Sequence, residues 1–302
     1  MTPPVHVIVN AGSGSVLGDE TARSLRDRFL AFGIKVQVSL VSEPRDIVRL
    51  AREAAEGDAD LIVAGGGDGT ISTIALEASA AGKTLGILPL GTLNNFSKDL
   101  GIAQNLNAAV RTIAQGEVRE IDLAECNGRV FINNSSIGLY PRMVVRRQHQ
   151  QQKLGRGKWA AAFWASVRLF RISPFLKVDI ELDGKVFERK TPFVFVGNNE
   201  YEMEMYNIGR RPSLEEGKLS LYFLHRQGRM GLVMLAWKTL TRGLKQWKDF
   251  EAVATEHVTI RTKRKRIRVA FDGETTLVEP PLEYRIRPKA LKVVVPNAQA
   301  RA

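Results

Sequence analysis

Apolar and polar positions along the first 120 residues change period in blocks. Short apolar-rich runs of strand length at 5–9, 35–41, 61–64 and 84–88 alternate with segments of helical spacing at 20–32, 45–56 and 71–81. A further helix begins near Leu93, and another spans 108–115. Strands that are each followed by a helix predict a parallel sheet with its ligand crevice at the strand carboxyl ends. Three loops fall at those ends, over 10–15, 65–70 and 90–95. Their convergence is the first functional expectation.

From Ile121-Asp122-Leu123 onward the pattern becomes β-rich, with strand-like runs at 129–133, 177–182, 193–196, 219–223, 259–261, 267–271 and 282–287. Two helices are expected to interrupt it, over 159–170 and 230–247. In the second, Met230, Val233, Met234, Trp237, Leu240, Leu244 and Trp247 form one apolar stripe, read as core. Lys292-Val293-Val294-Val295-Pro296 is a last short strand. The expected organisation is an α/β N-terminal domain over 1–122, to which 288–302 returns, and a β-rich C-terminal domain over 123–287.

Composition narrows the classes. The 302 residues are 44% hydrophobic and 25% charged, ordinary for a globular protein of two domains. No run approaches eighteen consecutive apolar residues, and Met1-Thr2-Pro3-Pro4 leads into a strand without the basic and apolar regions of a secretory leader. A cytoplasmic protein is expected. Cys126 is the single cysteine, and His6, His149, His225 and His257 are scattered, so neither an internal disulfide nor structural zinc is expected.

The net charge of +12 is uneven: residues 1–125 carry 11 Lys/Arg against 16 Asp/Glu, and residues 126–302 carry 33 against 16. A strongly basic half favours an anionic partner, a phospholipid leaflet or a nucleic acid. Two clusters stand out, Arg142, Arg146, Arg147, Lys153, Arg156 and Lys158, and Arg261, Lys263, Arg264, Lys265, Arg266 and Arg268. The tryptophans lie in apolar helical stretches away from both clusters, so stacking on single-stranded nucleic acid is not expected.

The loop Gly65-Gly66-Gly67-Asp68-Gly69-Thr70 carries the chemistry. Glycines let backbone approach a ligand closely, and the helix that follows offers unpaired N–H groups to an anion. Bare phosphate would repel Asp68, which makes sense if Mg²⁺ lies between them. The same hexapeptide also fits a tight strand-to-helix turn capped by Asp68 or Thr70. The opening loop Asn10-Ala11-Gly12-Ser13-Gly14-Ser15 could wrap a phosphate tail. Thr92 and Asn94 are candidates for phosphate or ribose contacts, or for helix caps. None of these loops fits a P-loop. Asp272-Gly273-Glu274 reads by itself as a hairpin turn.

Together, Asn-x-Gly-Ser-Gly, Gly-Gly-Asp-Gly-Thr, Leu-Pro-Leu-Gly-Thr-x-Asn-x-Phe and Phe-Asp-Gly-Glu, in this order, resemble the diacylglycerol kinase catalytic-domain family, over about residues 5–297. The resemblance implies an NAD kinase/diacylglycerol kinase-like fold and an ATP- and Mg²⁺-dependent lipid kinase that transfers the γ-phosphate to the hydroxyl of a diacylglycerol or sphingoid lipid. It points to Asn10, Gly12, Ser13, Gly14, Gly66, Gly67, Asp68, Gly69, Thr70 and Thr92 as nucleotide contacts, with Ala11 standing where the family has proline. Glu274 matches the catalytic acid, Asp122 a second active-site carboxylate, and Asp68 the Mg²⁺ contact and a catalytic role. A secondary Mg²⁺ site matches Ser213-Leu214-Glu215-Glu216-Gly217, with Ser213 and Glu216 as ligands. Both family aspartates are glutamates here, and the extra methylene displaces each carboxylate beyond the tolerance of octahedral Mg²⁺.

The implied partners are a lipid substrate at a membrane surface and anionic phospholipid, with no nucleic acid and possible pairing as a homodimer. The implied location is cytoplasmic, peripheral to the inner face of the membrane. Two rivals stay open. One is an NAD kinase, which shares Gly-Gly-Asp-Gly-Thr and Asn199-Glu200 but lacks the late Asp-Gly-Glu. The other is a non-catalytic lipid-binding protein of the same fold, expected to have lost the carboxylate at 68 or 274.

Overall fold

A computed structural model describes residues 5–11, 22–138, 175–201, 211–224 and 250–297. The predicted helices over 159–170 and 230–247, and the basic cluster 142–158, lie outside the described residues. The chain divides into two compact units, one of Met1–Leu123, Pro212–Gly217 and Arg287–Ala302, the other of Ala124–Arg211 and Lys218–Ile286. The segment Pro212–Gly217 thus belongs to the first unit, although sequence position had placed it in the second domain.

The first unit is an α/β layer structure. Strands β1 (Val5–Asn10), β2 (Val36–Val41), β3 (Leu61–Gly66) and β4 (Thr84–Pro89) pair in parallel in the order β2-β1-β3-β4. They are connected by α1 (Ala22–Leu30), α2 (Pro44–Glu56) and α3 (Asp68–Ala80), and α4 (Asn95–Asp99) and α5 (Leu106–Gln115) follow β4. Beyond β4 lies the end of β16 (Leu282–Val295), whose Lys292 and Val293 pair in parallel with Thr84 and Leu85. The near-continuous apolar run of β3 fits a strand covered on both faces, and Ile62, Val63 and Ala64 are buried. Helix α2 has Pro at its start, where a missing N–H costs nothing, and buries Ile47, Ala51, Ala54 and Ala55 along one stripe. Asn105 caps α5, its side-chain oxygen accepting from the N–H groups of Asn107 and Ala108.

The second unit is a β-sandwich. One sheet joins the first half of β16 to β13 (His257–Arg261), β8 (Leu176–Leu182) and β9 (Lys185–Thr191), all antiparallel. The end of β5 (Glu117–Cys126) pairs there with β6 (Arg129–Phe131). The other sheet is antiparallel, in the order β12 (Phe250–Thr255), β11 (Leu219–Leu224), β10 (Phe193–Asn198), β7 (Asn134–Gly138), β14 (Ile267–Phe271) and β15 (Glu274–Val278). Apolar residues of both sheets meet in one core, with Val178 and Ile180 opposite Val194, Leu221 and Val269. Phe131 sits among them, fully buried between the rings of Phe271 and Tyr284. Burying one such ring contributes roughly 1.5–3 kcal/mol.

Candidate active site

In the first unit the end of β1 meets the loops that follow β3 and β4. Asn10 Nδ2 donates to Thr70 Oγ1 at 3.0 Å, tying the end of β1 to the turn after β3. The N–H of Leu90 donates to the Gly66 carbonyl at 3.0 Å, tying in the loop after β4. Backbone then approaches backbone: a Cβ on Gly91 would lie 2.4 Å from the Cα of Gly67, so only glycine fits there. Gly12, Ser13 and Gly14 lie outside the described residues. Thr92 is exposed on the third loop.

Helix α3 begins at Asp68, three residues earlier than predicted, with Gly67 as N-cap and no side chain capping its first turn. Asp68 is placed to cap that turn and does something else. Its Oδ2 accepts from the N–H of Asn95 at 3.2 Å and its Oδ1 from that of Phe96 at 3.1 Å, at the start of α4. The carboxylate is thereby held on a second helix start, and the amides at the front of α3 keep their donors for an anion. No capping side chain competes with phosphate there. Above Gly69 there is open space, with no atom within 4 Å of where a Cβ would be.

Asn94 shapes the third loop from within. It is 5% exposed, adopts φ 50°, and its Nδ2 lies against the carbonyls of Pro89 and Gly91 and Oε1 of Gln104. The third loop takes its shape from that amide.

Asp122 lies in the interior of the first unit. It is 1% exposed; its Oδ2 accepts from the N–H of Gly217 at 2.7 Å and its Oδ1 from that of Lys289 at 2.9 Å, while its own N–H donates to the Leu214 carbonyl. A carboxylate so enclosed is a fastener between β5, the 212–217 loop and β16. The sequence reading had presented it as a second active-site acid. Ser213 Oγ accepts from the N–H of Glu215, and Glu215 pairs with Arg119 at 3.3 Å. Glu216 is exposed. Among the described residues no three His, Cys, Asp or Glu gather into a metal-binding group. For a secondary Mg²⁺ the 212–217 loop thus offers the Ser213 hydroxyl and the exposed Glu216 carboxylate, with Glu215 drawn to Arg119. At Asp68 the fit is better, since one carboxylate beside open anion-binding amides suits a Mg²⁺ completed by phosphate oxygens.

In the second unit, β14 and β15 are joined by Asp272-Gly273, with φ 46° and 89°, the two-residue turn that Asp-Gly favours. Asp272 is consumed by the fold: Oδ2 accepts from the N–H of Ile132 at 2.9 Å, and Oδ1 from those of Asn133 at 2.8 Å and Asn134 at 3.1 Å. Glu274, immediately after the turn, presents a side chain 68% exposed, with Arg129 Nη2 at 3.7 Å from its Oε2. The Arg129 guanidinium lies over the Phe271 ring, 4.9 Å from its centroid. Neither Arg129 nor the grip on Asp272 was foreseen from sequence; the only signal was Asp272 standing two residues before Glu274.

Cys126, beneath this edge, is inert: burial pushes its thiol up to about 12. Tyr284 beside it is raised by the same cause, and its hydroxyl lies 3.0 Å from Ser135 Oγ.

The comparisons with known proteins follow this division. Residues 4–126 match the model of the diacylglycerol kinase catalytic domain, and residues 136–295 that of the YegS C-terminal NAD kinase beta sandwich-like domain. The chain belongs to the diacylglycerol kinase catalytic-domain family of lipid kinases. It is 28% identical over 270 residues to the diacylglycerol kinase of Bacillus subtilis (strain 168), covering 87% of this chain and 84% of that one. It is 30% identical over 200 residues to a protein of Enterobacter sp. (strain 638) named as a YegS-like lipid kinase, covering 65% of this chain and 64% of the relative. A solved structure from Bacillus anthracis str. Sterne, described as a diacylglycerol kinase, superposes with a TM-score of 0.71 at 26% identity, over 97% of this chain and 96% of that one. The sandwich is shared with NAD kinases, so the fold alone leaves that rival open. The match over 4–126 and the relatives' names separate the two.

Proposed function

We propose that the protein transfers the γ-phosphate of ATP to the hydroxyl of a membrane lipid such as diacylglycerol, with Glu274 as general base. The observation that carries this reading is the division of labour in Asp272-Gly273-Glu274: one carboxylate is spent on three backbone amides, and the other is left facing outward on a rigid turn.

A lipid alcohol is a poor nucleophile at neutral pH. Glu274 accepts its proton as the new O–P bond forms and the bond from the γ-phosphorus to ADP breaks, a role typically contributing 10²- to 10⁴-fold. The first-turn amides of α3 hold phosphate oxygens through N–H donors that no side chain occupies. Asn10 and Thr70, bonded to each other, fix the loop around the phosphates. Asp68 is the residue that would hold Mg²⁺, which when bound supplies charge neutralisation of the triphosphate. Asp122 keeps the 212–217 loop in place.

Access to a lipid calls for a membrane. Among the described residues no helix is long and apolar enough to cross one. Arg261, Lys263, Arg264, Lys265, Arg266 and Arg268 are all exposed, with Arg261 paired to Glu181 and Arg266 to Glu279. Each cation near an anionic leaflet contributes roughly 1 kcal/mol, so this edge supports peripheral docking of the second unit. Binding to phosphatidylglycerol vesicles is expected to weaken steeply between low and high salt, and binding unaltered by salt would overturn the docking.

The decisive assay offers labelled ATP and Mg²⁺ with diacylglycerol, a sphingoid base, ceramide, phosphatidylglycerol or NAD, wild type beside Glu274→Gln. Phosphorylation of one lipid, lowered at least about a hundredfold in the variant, is the expected result. Phosphorylation of NAD alone would make the protein an NAD kinase.

A further inference from the structure

The grip on Asp272 continues into a second charged residue. The turn that supplies its three N–H donors, Ile132-Asn133-Asn134, is held from the opposite side by Arg211, itself 1% exposed. Arg211 Nη1 donates to the Ile132 carbonyl at 2.7 Å, and its Nη2 to Asn133 Oδ1 at 2.7 Å. The Ile132 carbonyl and the Asn133 N–H are the two ends of one peptide group. A buried cation therefore sits at its oxygen and a carboxylate at its hydrogen, 2.8 Å from Asn133 N. Each charge faces the peptide pole of opposite sign, and each polarises the group toward the other.

The next peptide is held in the same sense. The Asn133 carbonyl accepts from the N–H of Asn198 and from Tyr201 Oη, both at 2.9 Å, while the Asn134 N–H donates to Asp272. Asn198 Nδ2 adds a further bond to the Ile132 carbonyl at 2.9 Å. The hairpin is closed from its own side as well, the N–H of Asp272 donating to the Asn134 carbonyl. More bonding is concentrated here than a two-residue hairpin turn needs, since Asp-Gly makes that turn unaided. Among the described residues, the Glu274 carboxylate, the first out of the turn, is met by Arg129 across an exposed 3.7 Å gap.

We propose that Arg211 and Asp272, bonded to opposite ends of the Ile132–Asn133 peptide group, are positioning residues that together set the direction of the Glu274 carboxylate. This rests on the reading of Glu274 as the base. A misplacement of about 1 Å at a reacting group costs on the order of a hundredfold, so a relay that fixes one turn is of the right scale to matter.

The test measures turnover of diacylglycerol in mixed micelles with labelled ATP. Asp272→Asn and Arg211→Met are each expected to lower kcat about ten- to a hundredfold, with KM for ATP within about twofold of wild type. Because both act through one peptide, the double variant should be no more than about twofold below the weaker single variant. Introduced into Glu274→Gln, Asp272→Asn should lower the residual rate no further, since its effect passes through the carboxylate already removed.

Near-normal kcat in Asp272→Asn, losses that multiply in the double variant, or a further tenfold loss in the Glu274→Gln background would each overturn the relay. Should Asp272→Asn not fold, as judged by circular dichroism, Asp272→Glu and Arg211→Lys are measured in its place against the same outcomes. Near-normal turnover in Glu274→Gln alone would remove the base assignment. A dead Glu274→Gln beside a fully active Asp272→Asn would remove only the positioning.

Discussion

The turn that opens α3 and the turn that joins β14 to β15 are built on the same principle and end with opposite signs. In each, an aspartate beside glycine gives its carboxylate to backbone amides remote in the chain: Asp68 to Asn95 and Phe96, Asp272 to Ile132, Asn133 and Asn134. In the first, that diversion leaves uncapped N–H groups facing out, a surface for an anion. In the second it leaves Glu274 facing out, an exposed carboxylate beside Arg129. An aspartate in a glycine-rich motif can thus serve as a strut, and what the strut leaves exposed differs between the two turns.

The largest effect expected of this contrast is in Glu274→Gln, which should lower turnover at least about a hundredfold while leaving KM for ATP unchanged, because it touches only the second turn. A parallel rise in KM for ATP, seen in initial-rate kinetics, would erase the separation of roles. Next comes Gly91→Ala. Its methyl would meet Gly67 backbone at 2.4 Å, so a stability loss of roughly 1–3 kcal/mol in urea unfolding and weaker ATP binding are expected together.

Asp68→Asn keeps one acceptor and sets an amide N–H₂ against a backbone donor, which should cost about 1–2 kcal/mol. If Asp68 also holds Mg²⁺, the metal concentration for half-maximal rate should rise severalfold; an unchanged Mg²⁺ titration would leave it a strut alone. Smallest is Arg129→Gln. An exposed ion pair is worth no more than about 1 kcal/mol, so turnover should fall less than about fivefold. A loss as large as that of Glu274→Gln would instead place the guanidinium on the reacting phosphate.

Period explains what could be read without the structure. Strands such as β3 and helices such as α2 declare themselves because one or both faces are buried, and the three loops at the strand ends follow from that alternation. The strands that escaped notice lack the pattern for physical reasons. β9 and β15 are sheet edges with mostly exposed or half-exposed side chains. β7, Asn134-Ser135-Ser136-Ile137-Gly138, is buried in mid-sheet yet built largely of small polar residues. The struts were less legible still. Asp68 finds its partners 27 and 28 residues away and Asp272 finds Ile132 at a separation of 140, distances at which no local pattern operates. Asp122 shows the same limit: its tripeptide says little, the family resemblance alone marked it, and its bonds to Gly217 and Lys289 show it enclosed.

Those two bonds also bear on when the first unit can be completed. Asp122 needs amides from residues 217 and 289, and the sheet of the first unit needs the strand pairing at Lys292 and Val293. A nascent chain emerging from the ribosome can form β1 to β4 early, but it cannot close that unit until residues 289–293 have been made, after every strand that lies wholly in the second unit. The unit that starts earlier in the chain is thus closed by residues that come after the whole of the other one.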